Sequence, residues 1–303
     1  MTYTEFQTAL ADEVQLIADE GMSVSIQQLP KNNGVIMNAL CIRHEHDAMS
    51  PLIYLDSYYT RYTQGVPLPH LARYLLDQYR KDILRNADIS IHAFQNFEAA
   101  QKNIYCRVVN YELNTGRLLE IPHKRFLDLA ITYYYQVDDS VLKDATVMIT
   151  NSHCSQWNLS PEALHETAWE NTVHQLPPNL QSMEEALCEL LGEEASEEGC
   201  ILPPPDASPI PMYLLSNKNR CLGAICMLYP GALRETAAHL QSNLFILPSS
   251  IHECILIPES QALPKEELEE MVKNINATQL EPQEVLSNRV YYYSRCEDRI
   301  QLD

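Results

Sequence analysis

Six consecutive residues, Pro248-Ser249-Ser250-Ile251-His252-Glu253, place two hydroxyls, an imidazole and a carboxylate on one short connection. These are the groups of nucleophilic catalysis. A serine becomes reactive when a base lies within hydrogen-bond reach and a third group orients that base. The flanking runs read as strands, where neighbouring side chains point to opposite faces, so His252 and Glu253 are not expected to pair with each other. Serines here also suit a plain turn, where they satisfy backbone groups. A second cluster, Asn151-Ser152-His153, directly follows an apolar strand candidate at 145–150. Strand ends are common places for functional side chains, and these three residue types are equally ordinary in turns. A third run, His123-Lys124-Arg125-Phe126-Leu127-Asp128, is the most basic cluster in the chain. The planar fork of Arg125 suits a clamp on a carboxylate or phosphate, and an internal ion pair with a nearby acid is the plainer expectation. The candidate catalytic residues are therefore Ser250, His252, Glu253 and His153. The candidate binding residues are Arg125, Asp128, Asn151 and Ser152.

Other chemistries find less support. His44-Glu45-His46 would put two imidazoles on one face of a strand, but no third ligand is identifiable, and Cys221 and Cys226 fit no usual zinc spacing. No metal and no cofactor is assigned. The chain contains no GxGxxG, no P-loop, no GxSxG and no HExxH. Its eight glycines supply few loops able to cradle a phosphate.

The elements that must position these residues are partly legible. Thr2 and Glu5 can form a capping box for a helix on which Phe6, Leu10, Val14 and Ile17 recur at helical spacing, ended by Gly21. Strands are predicted at 23–29 and 35–42, joined by Lys31-Asn32-Asn33-Gly34, and again at 53–55 and 104–110. Helices are predicted at about 69–84, from Ser160-Pro161-Glu162 to about 174, and from Ser182 to Gly192. Residues 126–137 are strongly apolar and aromatic. The C-terminal part reads as strands at 212–215, 224–228, 244–247, 254–257 and 289–293, with helices opened by Pro230-Gly231 and by Pro264. This β-β-α-β-β-α-β order predicts an antiparallel sheet with helices on one face, and an α+β chain as a whole. Between the halves, residues 193–211 read EEASEEGCILPPPDASPIP, an acidic, proline-rich linker. The expected division is an N-terminal α+β domain over 1–192, the linker at 193–211, and a C-terminal α+β domain over 212–303.

Composition narrows the functional classes. The 303 residues carry a formal net charge of -20, with no Lys or Arg between Lys143 and Lys218. Such a surface repels phosphate backbones and anionic membranes, so direct nucleic-acid or membrane binding is not expected. No run reaches the roughly 18 apolar residues of a membrane span, and the N-terminal residues lack the pattern of a signal peptide. Nine cysteines, an odd number with no CxxC pair, suit reduced thiols in a cytoplasm. Tyrosines cluster at 58, 59 and 62, at 133–135 and at 291–293, where they suit core packing or an interface.

The segments KNNGVIMNAL, SPLIYLDSYYTRYTQG, KRFLDLAITYYY, ATVMITNSHCSQW, SNKNRCLGAICMLYPGAL, LFILPSSIHECILIP and EEMVKNINATQLEPQEVLSNRVYYY resemble an uncharacterised domain-of-unknown-function family found in Firmicutes, especially gut Clostridia. The resemblance spans nearly the whole chain apart from the linker. It implies a bacterial cytoplasmic protein and brings no activity, cofactor or site residue with it. The leading functional expectation is a non-catalytic interaction or regulatory protein with a protein partner. The first alternative is a hydrolase-like enzyme whose site joins the 149–153 and 248–253 segments, with Arg125 as anion clamp. The second is an acidic DNA mimic or inhibitor.

Overall fold

The computed structural model describes residues 1–44, 52–82, 94–137, 145–191 and 210–302. Its contacts divide the chain into two compact units, one formed by 1–103 with 135–147, the other by 104–134 with 148–303.

In the first unit, helix α1 (Tyr3–Ile17) begins with the expected capping box between Thr2 and Glu5. Strands β1 (Met22–Pro30), β2 (Ile36–His44) and β3 (Leu52–Tyr54) form an antiparallel sheet in that order. The helices α2 (Asp56–Thr63), α3 (Leu68–Asp82) and α4 (Phe97–Ala100) follow. Phe6, Leu10 and Val14 lie at helical spacing, as do Leu71, Leu75 and Tyr79, so α1 and α3 each bury one stripe. Those stripes pack with Leu40 and Ile42 in a single core cluster. Of the candidate metal run, His44 ends β2, while Glu45 and His46 lie outside the described residues.

The second unit holds every candidate site residue. Its elements begin with β4 (Ile104–Asn110), α5 (Thr115–Leu118), β5 (Lys124–Phe126), β6 (Leu129–Gln136) and β7 (Thr146–Met148), the last two running on into the first unit. They continue through α6 (Asn151–Gln156), α7 (Pro161–Gln175), β8 (Pro178–Ser182), α8 (Met183–Leu191), β9 (Tyr213–Asn217) and α9 (Ala232–His239). The last are β10 (Leu244–Leu247), β11 (Cys254–Pro258), α10 (Lys265–Thr278), β12 (Tyr291–Ser294) and β13 (Arg299–Gln301). One sheet runs β13-β12-β10-β11-β9-β8 with antiparallel pairings, and a second runs β4-β6-β5 with β7 on β6. The α+β class and the antiparallel C-terminal sheet match the sequence reading. The outer edge of β4 is closed by α7: Asn171 donates to Ile104 O at 2.9 Å, and the Thr172 hydroxyl accepts from Cys106 N at 2.8 Å. An exposed edge would otherwise offer a template for strand addition.

Two expectations differ from the structure. Residues 192–209, most of the expected linker, lie outside the described residues, but its two sides belong to one unit. They are joined by the pairing of β8 with β9, from Pro178↔Asn217 to Ser182↔Tyr213. The strands on either side of this change in composition are thus paired within one compact unit, in place of the expected domain boundary. The apolar run 224–228 is not a strand but part of a buried 3-10 turn over Gly223–Leu228. A short, fully buried run shows no periodicity that separates a strand from a helix. Among the described residues, no helix is long and apolar enough to cross a membrane.

Candidate functional site

The 248–253 connection is laced to a neighbouring stretch of chain by its own backbone. Ser287 N donates to Pro248 O at 2.9 Å, Leu286 N to Ser249 O at 2.7 Å, and Ile251 N to Glu284 O at 2.9 Å. Ser250 is 2% exposed, and its hydroxyl accepts from His252 N at 3.0 Å, the turn role open to a serine here. The imidazole of His252 accepts at Nδ1 from Leu222 N–H at 3.1 Å, which places the proton of the neutral ring on Nε2, 3.7 Å from Glu284 Oε1. The only acceptor nitrogen of that tautomer is therefore occupied by backbone and is not a base for Ser250. Burial pushes the Glu253 carboxyl above the usual carboxylate range, while nearby His252 and a hydrogen bond from Ser250 oppose the rise. Among the described residues the carboxylate that faces the imidazole of His252 is that of Glu284, and His252 and Glu253 form no ion pair with each other, as expected.

Close packing fixes this corner. The carbonyl of His252 accepts from Ser216 Oγ at 2.8 Å and from Gly223 N at 2.9 Å. A Cβ on Gly223 would meet Ser216 Oγ at 2.2 Å, Asn217 N at 2.5 Å and His252 O at 2.7 Å, so only glycine permits the approach.

The 151–153 cluster opens α6. Thr150 is the N-cap; its hydroxyl accepts from His153 N at 3.4 Å, and His153 Nδ1 accepts from Thr150 N–H at 3.1 Å. This is a capping box with histidine in the place usually held by Glu or Gln. Burial lowers the His153 imidazole, keeping it neutral and able to accept. Asn151 donates from its side chain to Leu119 O at 3.0 Å, and Ser152 is exposed.

The basic cluster forms the β5–β6 hairpin, turned by Leu127 at φ 52°. Arg125 donates from Nε to Leu127 O at 3.2 Å and lays its guanidinium over the Tyr111 ring, 4.2 Å from the centroid. Among the described residues it pairs with no carboxylate, in contrast to the expected ion pair. The ring supplies a negative face instead. Asp128 accepts from Ser287 Oγ at 2.7 Å and from Tyr291 OH at 2.5 Å. His153 is bonded to Thr150, Arg125 is held by Leu127 and Tyr111, and Ser250 is bonded to His252, which is bonded in turn to Leu222, so each is engaged in its own locality.

Sequence reasoning passed over two features. On α7, His165 faces the Tyr133 hydroxyl at 3.1 Å and stacks on Trp169 with centroids 5.8 Å apart, and Trp169 meets Tyr229 edge-on at 6.1 Å. Burial, reinforced by Lys124, lowers the His165 imidazole. Tyr229 lines a cleft of ≈ 340 Å³ with Phe126, Gly231, Arg234, Tyr293 and Asp298. Arg234 pairs with Asp298 at 3.3 Å, and Tyr293 OH donates to the same carboxylate at 2.5 Å. Such a volume suits a small ligand. The spacing of His165 and Trp169, four apart on a helix, was a readable signal. The cleft was not, since its walls come from distant stretches of chain. Among the described residues, no group of three His, Cys, Asp or Glu side chains could hold a metal ion.

No curated protein matches this chain, and no solved structure does. A family model matches residues 3–295, nearly the whole length, and the chain therefore belongs to that family, described as a family of unknown function (DUF5688).

Proposed function

We propose that this protein is a non-catalytic interaction protein of a bacterial cytoplasm, docking a basic surface of a protein partner through the acidic face of α7. The observation that carries this reading is a row of carboxylates. Glu162, Glu166 and Glu170 recur every fourth residue, in steps of about 6 Å along the helix. All three are exposed, and among the described residues none is in an ion pair. They lie opposite the buried stripe of Leu164, Ala168 and Thr172. Like charges four apart on a helix destabilise it by roughly 0.2–0.5 kcal/mol per pair, a cost that a basic partner would reverse. The residues with catalytic chemistry support the same reading, because Ser250, His252, His153 and Asp128 are engaged in backbone and internal hydrogen bonds.

The test is affinity capture from a bacterial lysate with the wild type and with a triple variant, Glu162→Lys, Glu166→Lys and Glu170→Lys. A protein partner held by the wild type and released both by the variant and by about 0.5 M salt is the expected result. Capture that the triple variant leaves unchanged overturns the reading. So does turnover of a small molecule that His252→Ala abolishes without lowering thermal stability, which would establish the hydrolytic alternative.

A further inference from the structure

Four separate stretches of the second unit close around the cleft of ≈ 340 Å³. The β5–β6 hairpin contributes Phe126, the turn before α9 contributes Tyr229, α9 itself contributes Arg234, and the β12–β13 hairpin contributes Tyr293 and Asp298. One wall is fixed from behind. Tyr229 is 5% exposed, and its hydroxyl is shared between Leu176 O at 3.0 Å and Thr172 O at 3.2 Å, while Trp169 meets its ring edge-on. Another wall is fixed by Asp298, which is held at both oxygens. Tyr293 OH donates to Oδ1 at 2.5 Å, and Arg234 Nη1 donates to Oδ2 at 3.3 Å.

Donors and acceptors on this lining are not balanced. Each oxygen of Asp298 already accepts a bond, and the hydroxyl protons of Tyr229 and Tyr293 are engaged. A guanidinium carries five N–H donors. Among the described residues, Arg234 bonds through Nη1 alone. A Cβ on Gly231 would stand 3.4 Å from Arg234 Nη2, so that nitrogen runs along the wall beside a second lining residue. Arg299 also reaches the lining, and its Nη2 pairs with Glu297, off the lining, at 3.2 Å. The groups left over are donors, so a ligand must bring acceptors. The lining itself carries two arginines against one aspartate, an excess of positive charge in a chain of net charge -20.

We propose that this cleft binds a small aromatic monocarboxylate, its carboxylate on Arg234 and its ring against the aromatic walls of Phe126, Tyr229 and Tyr293. With Nη1 on Asp298, the Nε–Nη2 edge of Arg234 stays open for two parallel bonds to one carboxylate. A single negative charge matches the single excess positive charge of the lining. Aromatic side chains offer faces and edges to a planar body. The volume lies near the lower end of ligand cavities, about 300–1,000 Å³, which suits one ring with a short acid arm rather than a nucleotide. The site does not include the α7 carboxylates and stands whether or not that helix docks a partner.

Isothermal titration calorimetry and thermal melting of the full chain test this with phenylacetate as the probe, against phenylacetamide, acetate and phenyl phosphate. Phenylacetate should bind saturably and raise the Tm by roughly 3–6 °C at a hundredfold excess over Kd. Phenylacetamide, which lacks the charge, and acetate, which lacks the ring, should each bind at least about tenfold more weakly. Arg234→Met should weaken phenylacetate binding by at least about tenfold. Arg289→Met, at an exposed arginine off the lining, should leave it unchanged. Without ligand, Arg234→Met should melt close to the wild type, because the ion pair it removes is exposed. If it does not fold, Ile300→Trp decides, since added bulk on the lining should abolish binding. No saturation below about 10 mM phenylacetate, or equal affinity of the wild type and a folded Arg234→Met or Ile300→Trp protein, overturns the proposal. Phenylacetamide binding as tightly as phenylacetate overturns the anion, acetate binding as tightly overturns the ring, and phenyl phosphate binding more tightly overturns the monocarboxylate.

Discussion

The Tyr291 hydroxyl donates to Asp128 Oδ1 at 2.5 Å, although the two residues are 163 positions apart. Tyr291 is fully buried, and burial together with the neighbouring carboxylate pushes its phenol far above the ordinary range. Ser287 completes the arrangement on Oδ2, and its own Oγ accepts from Arg289 N at 3.0 Å. Asp128 thus ties the β5–β6 turn to the segment leading into β12. Asp128→Ala should lower stability by about 2–4 kcal/mol, because two buried hydroxyls lose a charged acceptor. Tyr291→Phe should lower it by about 1–2 kcal/mol. The double variant should fall short of the sum by roughly 0.5–3 kcal/mol in urea denaturation, and simple additivity would show that the two side chains act independently.

Gly223 and Gly116 provide a matched pair. Alanine at 223 must displace Ser216 Oγ and two backbone atoms, whereas a Cβ at 116 meets nothing within 4 Å. Gly223→Ala should destabilise by more than about 2 kcal/mol. Gly116→Ala on α5 should be neutral or stabilising by up to about 1 kcal/mol. Equal effects of the two changes on the urea midpoint would contradict the close approach at His252.

The histidines predict a pH dependence with a defined sign. Folding lowers the imidazoles of His153 and His165, so the unfolded chain binds their protons more readily. Their contribution is complete above the unfolded value of about 6.5 and is lost as pH falls through it toward the folded values. Glu253 acts in the opposite sense: its raised carboxyl favours folding where it is protonated, and that contribution is lost as pH rises through the folded value. Glutamine at 153 can complete the capping box without a proton. His153→Gln with His165→Gln should flatten the decline of the urea midpoint between pH 7 and pH 5. An unchanged slope would place the acid sensitivity elsewhere.

Thiol reactivity should divide by burial. Cys188, Cys221 and Cys296 are exposed, whereas Cys106, Cys154, Cys226 and Cys254 are buried. Burial pushes Cys106 and Cys226 up to about 12 and raises Cys154 and Cys254. At pH 8 iodoacetamide should modify the three exposed thiols within minutes and the four buried ones only after unfolding, as mapped by peptide mass. Early modification of Cys254 would contradict the packing of β11.

What the sequence determined by itself is local. The Thr2–Glu5 and Ser182–Glu185 capping boxes, the serine-capped start of α7 and the strand at 104–110 follow from contacts within a few residues, and all four stand in the structure. The antiparallel C-terminal sheet was legible from the same alternation of apolar runs and turn residues. The turn role of Ser250 was legible too, because a hydroxyl two residues before an amide bonds locally. What tertiary structure alone decided is which residues meet across long separations. Leu222 claims the imidazole of His252 from 30 positions away, Tyr111 takes Arg125 in place of an acid, and β8 pairs with β9 across an acidic stretch that reads as a boundary. Arg107 shows the limit most plainly. In sequence it is one polar residue in an apolar strand, and only the pairing of β4 with β6 brings its Nε to the Thr132 hydroxyl at 3.4 Å. Such meetings depend on how buried surface is shared between distant elements, and no spacing along the chain encodes that sharing.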